Sequence, residues 1–352
     1  MKKMTVAVIG CGNIARNSHL PSYAKNPNAK VKYVVDIKED LAKEVAEEFD
    51  VPYALTDYKD FLDDKEIDVV SVCTPNDLHA PMTIDCLDAG FHVLCEKPAA
   101  VNAELVRDMK DAADRNGRIL NIGVVNRFNV VVNEIKDMIE AGELGELYHI
   151  YCSFRRHRSI PGLGGWFTTK EKAGGGVLID WGVHFLDLIF YCINPKEVLT
   201  VSGSTYGKLA EDMKDYVYEY MWAGPPDYDG IYDVEELVTG FIRTSGPSIT
   251  FNGAWAQNIG EDGMFIEFMG DKGGIKLEYG GDFTLYTTKD GKLYEEKSDI
   301  EKNDAFYDEI DSFLRAVNAN RKNRANVDNT IITADAMDAI YKSAELGREI
   351  TL

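Results

Sequence analysis

Residues 5–15 read Thr-Val-Ala-Val-Ile-Gly-Cys-Gly-Asn-Ile-Ala, an apolar β-rich run that passes directly into a G-x-G-x-x-A sequence. The apolar run predicts a strand, and a helix is expected to follow from about Asn13. In that context Gly10 permits a tight turn, Gly12 lets the backbone approach a pyrophosphate, and Ala15 lets the helix pack closely. The helix N-terminus would supply N–H donors and partial positive charge to phosphates. The stretch therefore predicts a dinucleotide site, with an ordinary strand–helix turn as the alternative.

Strand and helix patterns alternate through the first third of the chain. Near-continuous apolar runs predict further strands at residues 32–36, 68–74, 92–95 and 119–124. Amphipathic patterns and caps predict helices at residues 39–49, 79–89 and 102–116. Apolar strands separated by helices indicate a doubly wound parallel sheet covered on both faces, the α/β Rossmann class.

Asp36 ends the second predicted strand and bears on the choice of cofactor. A carboxylate there can accept hydrogen bonds from both hydroxyls of an adenosine ribose, and it would repel a 2′-phosphate. NAD is therefore favoured over NADP, although Lys38 nearby keeps NADP open. The alternative is that Asp36 is a solvated strand end.

The pattern changes after about residue 125. A predicted helix at residues 131–141 is followed by strand patterns without intervening helices, at residues 148–154, 199–204, 238–244, 248–254, 264–269, 274–278 and 284–288. Two further helices are predicted at residues 305–317 and about 330–346. This pattern predicts an α+β domain with an open, mostly antiparallel sheet, so we expect two domains, at residues 1–125 and 126–352.

Composition excludes several functional classes. The chain of 352 residues has 38 Lys and Arg against 59 Asp and Glu, a formal net charge of −21. A field of that sign repels nucleic acids and anionic membranes. We expect no apolar run that approaches the roughly 20 residues a bilayer span needs. The six cysteines form no Cys-x-x-Cys pair, so we expect reduced core residues, no metal and a cytoplasmic protein.

Two further loops follow predicted strands at their carboxyl ends, where open α/β sheets bind ligands. They are Thr74-Pro75-Asn76-Asp77-Leu78-His79 and Glu96-Lys97-Pro98. Pro98 restricts Lys97 to an extended conformation and can form a cis peptide bond, which would fix where the lysine points.

The chain resembles the Gfo/Idh/MocA oxidoreductase family over essentially its whole length. The resemblance rests on the glycine turn, on the two loops just quoted, and on the sequence Gly-Gly-Gly-Val-Leu-Ile-Asp-Trp-Gly-Val-His at residues 174–184. It implies an NAD-binding Rossmann domain at residues 1–125, and a substrate-binding and oligomerisation domain at residues 126–352. It also implies a homodimer or homotetramer formed through the open sheet.

The family chemistry is reversible hydride transfer between NAD(P) and a secondary alcohol, commonly on a sugar or cyclitol ring. The motifs that carry the resemblance supply the residues expected to contact the cofactor, which are Gly10, Gly12, Asn13, Ile14, Asp36, Thr74, Pro75, Asn76, His79, Glu96 and Lys97.

Three residues are candidates for the chemistry. Asp180, His184 and Asp187 are spaced i, i+4 and i+7, so on a helix they would share one face. Dehydrogenation of an alcohol needs a base for the hydroxyl proton, which suits His184. It also needs a cation beside the alkoxide, which suits Lys97. Asp180 could orient His184 or hold a substrate hydroxyl, and the resemblance assigns the same catalytic residues, Lys97, Asp180 and His184.

Structural roles for these residues stay open as alternatives. His184 could be structural, and Asp187 could serve solvation or a salt bridge. The sequence Asp180-x-x-x-His184-x-x-Asp187 also has the ligand types of a metal site, but no metal is needed when a lysine stabilises the alkoxide.

Substrate-binding candidates lie early in the second domain. Arg155-Arg156-His157-Arg158 is a basic cluster in an acidic chain, and Arg156 could hold a carboxylate or phosphate. Surface salt bridging is the alternative. Trp166 could stack on a sugar or close over the nicotinamide, with a core or interface role as the alternative. Asp180 and His184 are also expected to touch the substrate.

Residues 206–237 form an unusual segment between two predicted strands. It carries six tyrosines, one tryptophan and nine acidic residues against two lysines. Aromatic rings with nearby carboxylates suit carbohydrate binding, and packing on a neighbouring subunit is the alternative. We predict that this segment shapes specificity.

The leading hypothesis from the sequence is an NAD-dependent dehydrogenase acting on a ring hydroxyl of a sugar, glycoside or inositol. One alternative is an NAD-recycling glycosidase of the same family. The other is a catalytically inactive regulatory protein that senses a sugar or NAD.

Overall fold

The computed structural model describes residues 2–352, and their contacts divide the chain into two compact units. The first unit comprises residues up to Phe128 together with Asn303–Ile331, and the second comprises Asn129–Lys302 and Ile332–Leu352. The sequence prediction placed the division after residue 125 and assigned all later residues to the second domain. Residues 303–331 return to the first unit because their helix buries Ile310, Phe313 and Leu314 in that unit's core.

The first unit is built on a six-stranded sheet in which all neighbouring strands are parallel. Its strands are Met4–Ile9 (β1), Ala29–Val35 (β2), Tyr53–Leu55 (β3), Val69–Val72 (β4), His92–Cys95 (β5) and Leu120–Ile122 (β6). Their order is β3-β2-β1-β4-β5-β6. The strand order reverses between β1 and β4, and a doubly wound sheet binds ligands at the carboxyl ends of the strands at such a point. The predicted Rossmann class is confirmed.

Helices flank this sheet where caps and apolar faces predict them. They are Leu20–Lys25 (α1), Glu39–Glu48 (α2), Asn76–Asp88 (α3), Ala103–Asn116 (α4) and Ala305–Ala319 (α8). In α4, the Asn102 side chain accepts a hydrogen bond of 2.9 Å from the Leu105 N–H, and Gly117 ends the helix at φ +59°. Asn and Gly are the residues that favour these two cap positions.

The second unit is built on a nine-stranded sheet, with the order β14-β13-β12-β11-β7-β10-β9-β8-β15. Its strands are Leu147–Arg155 (β7), Val198–Tyr206 (β8), Leu237–Thr244 (β9), Ser248–Ala254 (β10), Gly263–Gly270 (β11), Gly273–Glu278 (β12), Phe283–Lys289 (β13), Lys292–Lys297 (β14) and Ile350–Thr351 (β15). Neighbouring strands are antiparallel except β7 with β10. The predicted open, mostly antiparallel sheet is confirmed.

The helices of the second unit cover this sheet. They are Val130–Glu140 (α5), Lys170–Ala173 (α6), Val183–Ile193 (α7) and Ile331–Leu346 (α9). Among residues 2–352, the stretch Lys170–Ile193 is long and apolar enough to cross a membrane by length and composition, which corrects the expectation that no such run exists. Within it, 78% of the apolar window is buried inside the protein. A helix that is apolar all round is also typical of a protein core.

Candidate functional site

The turn after β1 has the geometry that the glycine pattern predicts. Gly10 has a φ of +92°, and a Cβ there would lie 2.4 Å from the carbonyl oxygen of Cys73, so the turn requires glycine. A Cβ built on Gly12 meets no atom within 4 Å. Ala15, at the start of the helix, is fully buried. Open space in front of Gly12, beside a helix N-terminus, fits a pyrophosphate.

Two backbone N–H groups hold the carboxylate of Asp36 at the end of β2. Cys11 N donates to Oδ2 at 3.0 Å, and Lys38 N donates to Oδ1 at 2.9 Å. Burial, together with Asp36, raises the pKa of the Cys11 thiol to about 12, so the thiol stays neutral beside the carboxylate. Each oxygen of Asp36 retains a lone pair, so the carboxylate fits the ribose hydroxyls of an adenosine.

The helix after the glycine turn begins at Asn13, passes through a π-turn over Ala15–His19 and continues as α1. His19 is fully buried, with Nε2 at 2.8 Å from Glu96 Oε1 and Nδ1 at 3.2 Å from Ser71 Oγ. The Tyr23 hydroxyl lies 2.8 Å from the same Ser71 oxygen. This buried network links the helix after the glycine turn to the strand end at Glu96, and the sequence analysis missed it.

Glu96 is 6% exposed and is engaged within the protein. Its Oε2 accepts a hydrogen bond of 3.1 Å from the backbone N–H of Lys97. Burial acts to raise the pKa of the Glu96 carboxyl, but His19 together with the charge and the backbone N–H of Lys97 holds that pKa below its usual value. Glu96 therefore fixes the start of the Lys97 loop, and its contact with the cofactor stays a prediction.

His79 joins the two loops that were predicted at the strand ends. Its Nδ1 lies 2.7 Å from the Pro98 carbonyl oxygen and its Nε2 lies 2.8 Å from the Thr74 carbonyl oxygen. Burial lowers the pKa of His79. The Lys97–Pro98 peptide bond is cis, as the sequence suggested. The structure thus brings the Thr74 and Lys97 loops together through the ring of His79.

The triple glycine of the second unit permits close packing before the helix that carries Asp180. Gly174 ends α6 at φ +87°. A Cβ on Gly175 would lie 2.0 Å from the Tyr341 hydroxyl, and one on Gly176 would lie 1.9 Å from the Glu235 carbonyl oxygen. Any side chain at position 175 would therefore clash with Tyr341, and any side chain at position 176 would clash with the backbone of Glu235.

Asp180 and His184 lie on one continuous helical stretch, which has a π-turn over Leu178–Gly182 and continues as α7. Asp180 is 8% exposed, and its Oδ2 accepts a hydrogen bond of 3.1 Å from Trp255 Nε1. The partly exposed His184 ring lies 6.3 Å, centroid to centroid, from the ring of Tyr279. The predicted pair therefore shares one element, with two aromatic neighbours that the sequence analysis missed.

Asp187, the third member of the predicted helical face, contacts another helix. It is 2% exposed, and its Oδ1 accepts a hydrogen bond of 3.3 Å from Thr333 Oγ1 on α9. This contact agrees with the structural alternative for Asp187. Across residues 2–352 no group of three or more His, Cys, Asp or Glu is arranged to hold a metal ion.

Glu235 holds the start of the helical stretch that carries Asp180. Its side chain accepts hydrogen bonds from Gly176 N at 3.0 Å, Leu178 N at 3.1 Å and the Tyr341 hydroxyl at 2.8 Å. Its carbonyl oxygen accepts from Val177 N at 3.1 Å. Burial raises the pKa of the Glu235 carboxyl. The sequence analysis missed this residue because it lies 57 to 59 positions from the backbone groups it binds and 106 positions from Tyr341.

Two members of the basic cluster at residues 155–158 are paired with acidic side chains. Arg156 Nη1 lies 2.7 Å from Asp262 Oδ2, and His157 Nδ1 lies 2.7 Å from Glu219 Oε1. These pairs agree with the salt-bridging alternative, and a substrate role for Arg156 stays a prediction.

Trp166 belongs to a group of three aromatic rings. Its ring centroid lies 3.7 Å from that of Phe167, and Phe167 meets Trp222 edge-on at 4.9 Å. Trp222 is 41% exposed. We call Trp166, Phe167 and Trp222 the aromatic shelf.

The 206–237 segment joins β8 to β9, as predicted, and is fixed to the loop that carries Trp166. Backbone hydrogen bonds of 2.8 to 3.1 Å run from the segment to this loop, in the pairs Glu219 N to Arg158 O, Ala223 N to Pro161 O, Asp227 N to Leu163 O and Asp233 N to Thr168 O. These four hydrogen bonds hold the 206–237 segment against the loop that carries Trp166.

Comparisons with known proteins follow the same two-part organisation. Residues 4–124 match the model of an oxidoreductase family with an NAD-binding Rossmann fold, and residues 132–276 match the model of a GFO/IDH/MocA C-terminal domain. The chain belongs to the Gfo/Idh/MocA family. The resemblance seen in the motifs is thereby confirmed. This family member is an oxidoreductase with an NAD-binding Rossmann fold.

Similar proteins span the whole chain. The D-glucoside 3-dehydrogenase of Escherichia coli K12 is 30% identical, with coverage of 99% of this chain and 97% of its own. The NADP(+)-dependent D-xylose 1-dehydrogenase 2 of Haloferax volcanii is 24% identical, with 99% and 100% covered. A levoglucosan dehydrogenase structure with NADH and levoglucosan superposes with a TM-score of 0.85 at 21% identity and covers 99% of each chain. At that identity the structural likeness shows the fold alone.

Proposed function

We propose that this Gfo/Idh/MocA protein is an NAD-dependent dehydrogenase that acts reversibly on a secondary ring hydroxyl of a sugar, glycoside or inositol. The observation that carries the proposal is the presence of Lys97, Asp180 and His184 in one chain with an open glycine turn. The full-length similarity to a D-glucoside dehydrogenase supports a glycoside or sugar as the substrate.

Each of the three residues has a separate task in the proposed reaction. In the oxidation direction, His184 accepts the hydroxyl proton, and an acid–base group of this kind contributes about 10²- to 10⁴-fold in rate. The Lys97 ammonium donates to the oxygen as it becomes an alkoxide. Asp180, fixed by Trp255, orients His184 and the neighbouring substrate hydroxyl. A bound nicotinamide supplies the hydride acceptor.

The state of Asp36 supports NAD over NADP. Because the N–H groups of Cys11 and Lys38 hold its two oxygens, the carboxylate cannot swing away from a 2′-phosphate without losing both hydrogen bonds. Its charge would therefore oppose NADP. The residues predicted from the motifs, including Asn13, Ile14 and Asn76, are proposed to complete the cofactor site.

The aromatic shelf and Arg156 are the proposed substrate contacts beyond the reacting carbon. Aromatic faces pack on the C–H faces of sugar rings. We therefore propose that the shelf accepts a sugar ring, and that the 206–237 segment determines which one.

The direct test is a panel of sugars, glycosides and cyclitols with NAD, followed by NADH absorbance. His184→Ala and Lys97→Ala should each lose turnover and still bind NADH. His149→Ala, whose Nδ1 lies 2.9 Å from Ser248 Oγ on the sheet, is the control and should retain turnover. Full turnover in both catalytic variants would remove the assignment, and aryl glycoside cleavage without net NADH would indicate the glycosidase instead.

The assembly and compartment are also proposed. Exposed tyrosines lie on the nine-stranded sheet, with Tyr148 59%, Tyr286 44% and Tyr294 45% exposed, and tyrosines of this kind are enriched in interfaces. We propose a homodimer or homotetramer through this sheet, which light scattering would measure. All six cysteines are free and buried, which favours the reducing cytoplasm.

A further inference from the structure

Two adjacent buried carboxylates lie near the end of the 206–237 segment, and they bind different parts of the second unit. Glu235 is 7% exposed and Glu236 is 1% exposed. Like Glu235, Glu236 accepts two backbone N–H groups and one tyrosine hydroxyl, from Lys208 N at 2.5 Å, Leu209 N at 3.0 Å and Tyr232 at 2.7 Å. The two residues thus have matched bonding, but only Glu235 binds the helix that carries Asp180.

The groups that Glu235 binds are the ones that a helix cannot satisfy itself. The first N–H groups of a helix have no carbonyl partner within it. Here Gly176, Val177 and Leu178 all direct their N–H groups to Glu235, two to its side chain and one to its carbonyl oxygen. A carboxylate at this end also complements the helix dipole. Glu235 therefore sets where this helix begins.

The start of the helix is connected to Asp180 by one backbone hydrogen bond. Asp180 N donates to the carbonyl oxygen of Gly176 at 3.0 Å, and His184 follows one turn later. The Tyr341 hydroxyl fixes Glu235 from the other side at 2.8 Å. A shift of the Glu235 carboxylate would thus move the first turn, and Asp180 with it.

We propose that Glu235, held by Tyr341, is a positioning residue that sets Asp180 and His184 for hydride transfer. The inference rests on the proposed function, since it assigns a task within that reaction. Glu235 acts through the helix and not by contact with the reacting atoms. The proposal gives Glu235 alone, within the 206–237 segment, a part in turnover.

The test compares Glu235→Gln and Tyr341→Phe with the matched control Glu236→Gln. In Glu235→Gln one acceptor oxygen becomes an NH₂ group that faces an N–H donor, so at least one hydrogen bond is lost. We expect kcat to fall at least about tenfold, with KM for the sugar within about threefold and the Kd of NADH unchanged. Tyr341→Phe keeps the carboxylate and should lower kcat by less. Glu236→Gln should keep kcat within about twofold.

Amide hydrogen exchange supplies a readout that does not need turnover. Exchange should rise at residues 174–184 in Glu235→Gln and near residues 207–210 in Glu236→Gln. Equal losses of kcat in the two glutamine variants would overturn the inference, and so would faster exchange at residues 174–184 with unchanged kcat. If the wild-type protein turns over no sugar, the proposed function fails. Unchanged exchange at residues 174–184 would then separately overturn the positional role of Glu235.

Discussion

The indole nitrogen of Trp255 donates a hydrogen bond of 3.1 Å to Oδ2 of Asp180, across 75 positions of sequence. Trp255 is fully buried directly after β10, and its backbone N–H donates to the Glu236 carbonyl oxygen at 2.8 Å. The Asp180 carboxylate is therefore held by a donor from the end of a sheet strand as well as by its own helix.

Trp255→Phe should lower kcat about tenfold, because a hydrogen bond to a charged group contributes about 1.5 to 3 kcal/mol. The Kd of NADH should stay unchanged. The control is Phe268→Leu, at a fully buried position on β11, which should reduce stability without a comparable loss of kcat. Equal effects of the two variants on kcat would mean that Trp255 acts only by filling the core.

Asp36→Asn should shift the cofactor preference toward NADP. The variant removes the charge that opposes a 2′-phosphate, so the ratio of kcat/KM for NADP to that for NAD should rise at least about tenfold. Steady-state kinetics with both cofactors measures the ratio. Asp40→Asn, an exposed carboxylate in the first turn of α2, is the control. The cofactor assignment would be wrong if the ratio were the same in both variants.

Acid should destabilise the first unit partly through His92. Its Nδ1 accepts a hydrogen bond of 2.9 Å from Ile119 N, and burial together with Arg118 lowers the pKa of His92 to about 4. The unfolded chain protonates this ring near pH 6.5. Between those values the unfolded state binds more protons, so stability falls as the pH falls from about 6.5 to 4.

His92→Asn tests this pH dependence, because its side-chain oxygen can accept the same N–H without titrating. Between pH 7 and pH 5 the wild type should lose about 1 to 2 kcal/mol more than the variant, toward the lower value because the ring is only partly buried. Urea unfolding at the two pH values measures this difference. Parallel losses in the two proteins would rule out His92 as the source.

Trp222→Ala should change substrate preference. Removal of the exposed end of the aromatic shelf should raise KM for glycosides about fivefold, the loss expected from about 1 kcal/mol of aromatic contact. A point variant is cleaner than deletion of the 206–237 segment, because deletion also removes Glu235. Tyr220→Ala, at a 62% exposed neighbour, is the control. An unchanged KM across the panel would argue against the shelf.

Local patterns predicted most of the fold. The bounds of β5 and β10 and the caps of α4 agree with the prediction, because apolar runs and cap residues report on their own neighbours. The strand β14 was missed because all six of its residues are exposed, so no alternation marks it. The three-residue β3 and two-residue β15 are too short to show a pattern.

In the candidate site, too, the local motifs could be predicted from the sequence and the long-range contacts could not. Glycine motifs and the Asp180–His184 spacing are local, so the sequence could predict them. His19, Trp255, Glu235 and Tyr341 carry out their bonding across 52 to 106 positions, and their partners are set by tertiary packing. Their residue types alone, a buried histidine or a glutamate among nine acidic residues, indicate nothing about these contacts.

Both helices that follow a glycine motif contain a five-residue π-turn, over Ala15–His19 and over Leu178–Gly182. Such a turn holds one residue more than an α-helical turn, and each residue of an α-helix advances about 100° around the axis. Loss of a single residue in either turn would rotate the preceding motif against the rest of its helix. A change in the length of either stretch would therefore shift the register between the glycine motif that precedes it and the buried helix that follows it.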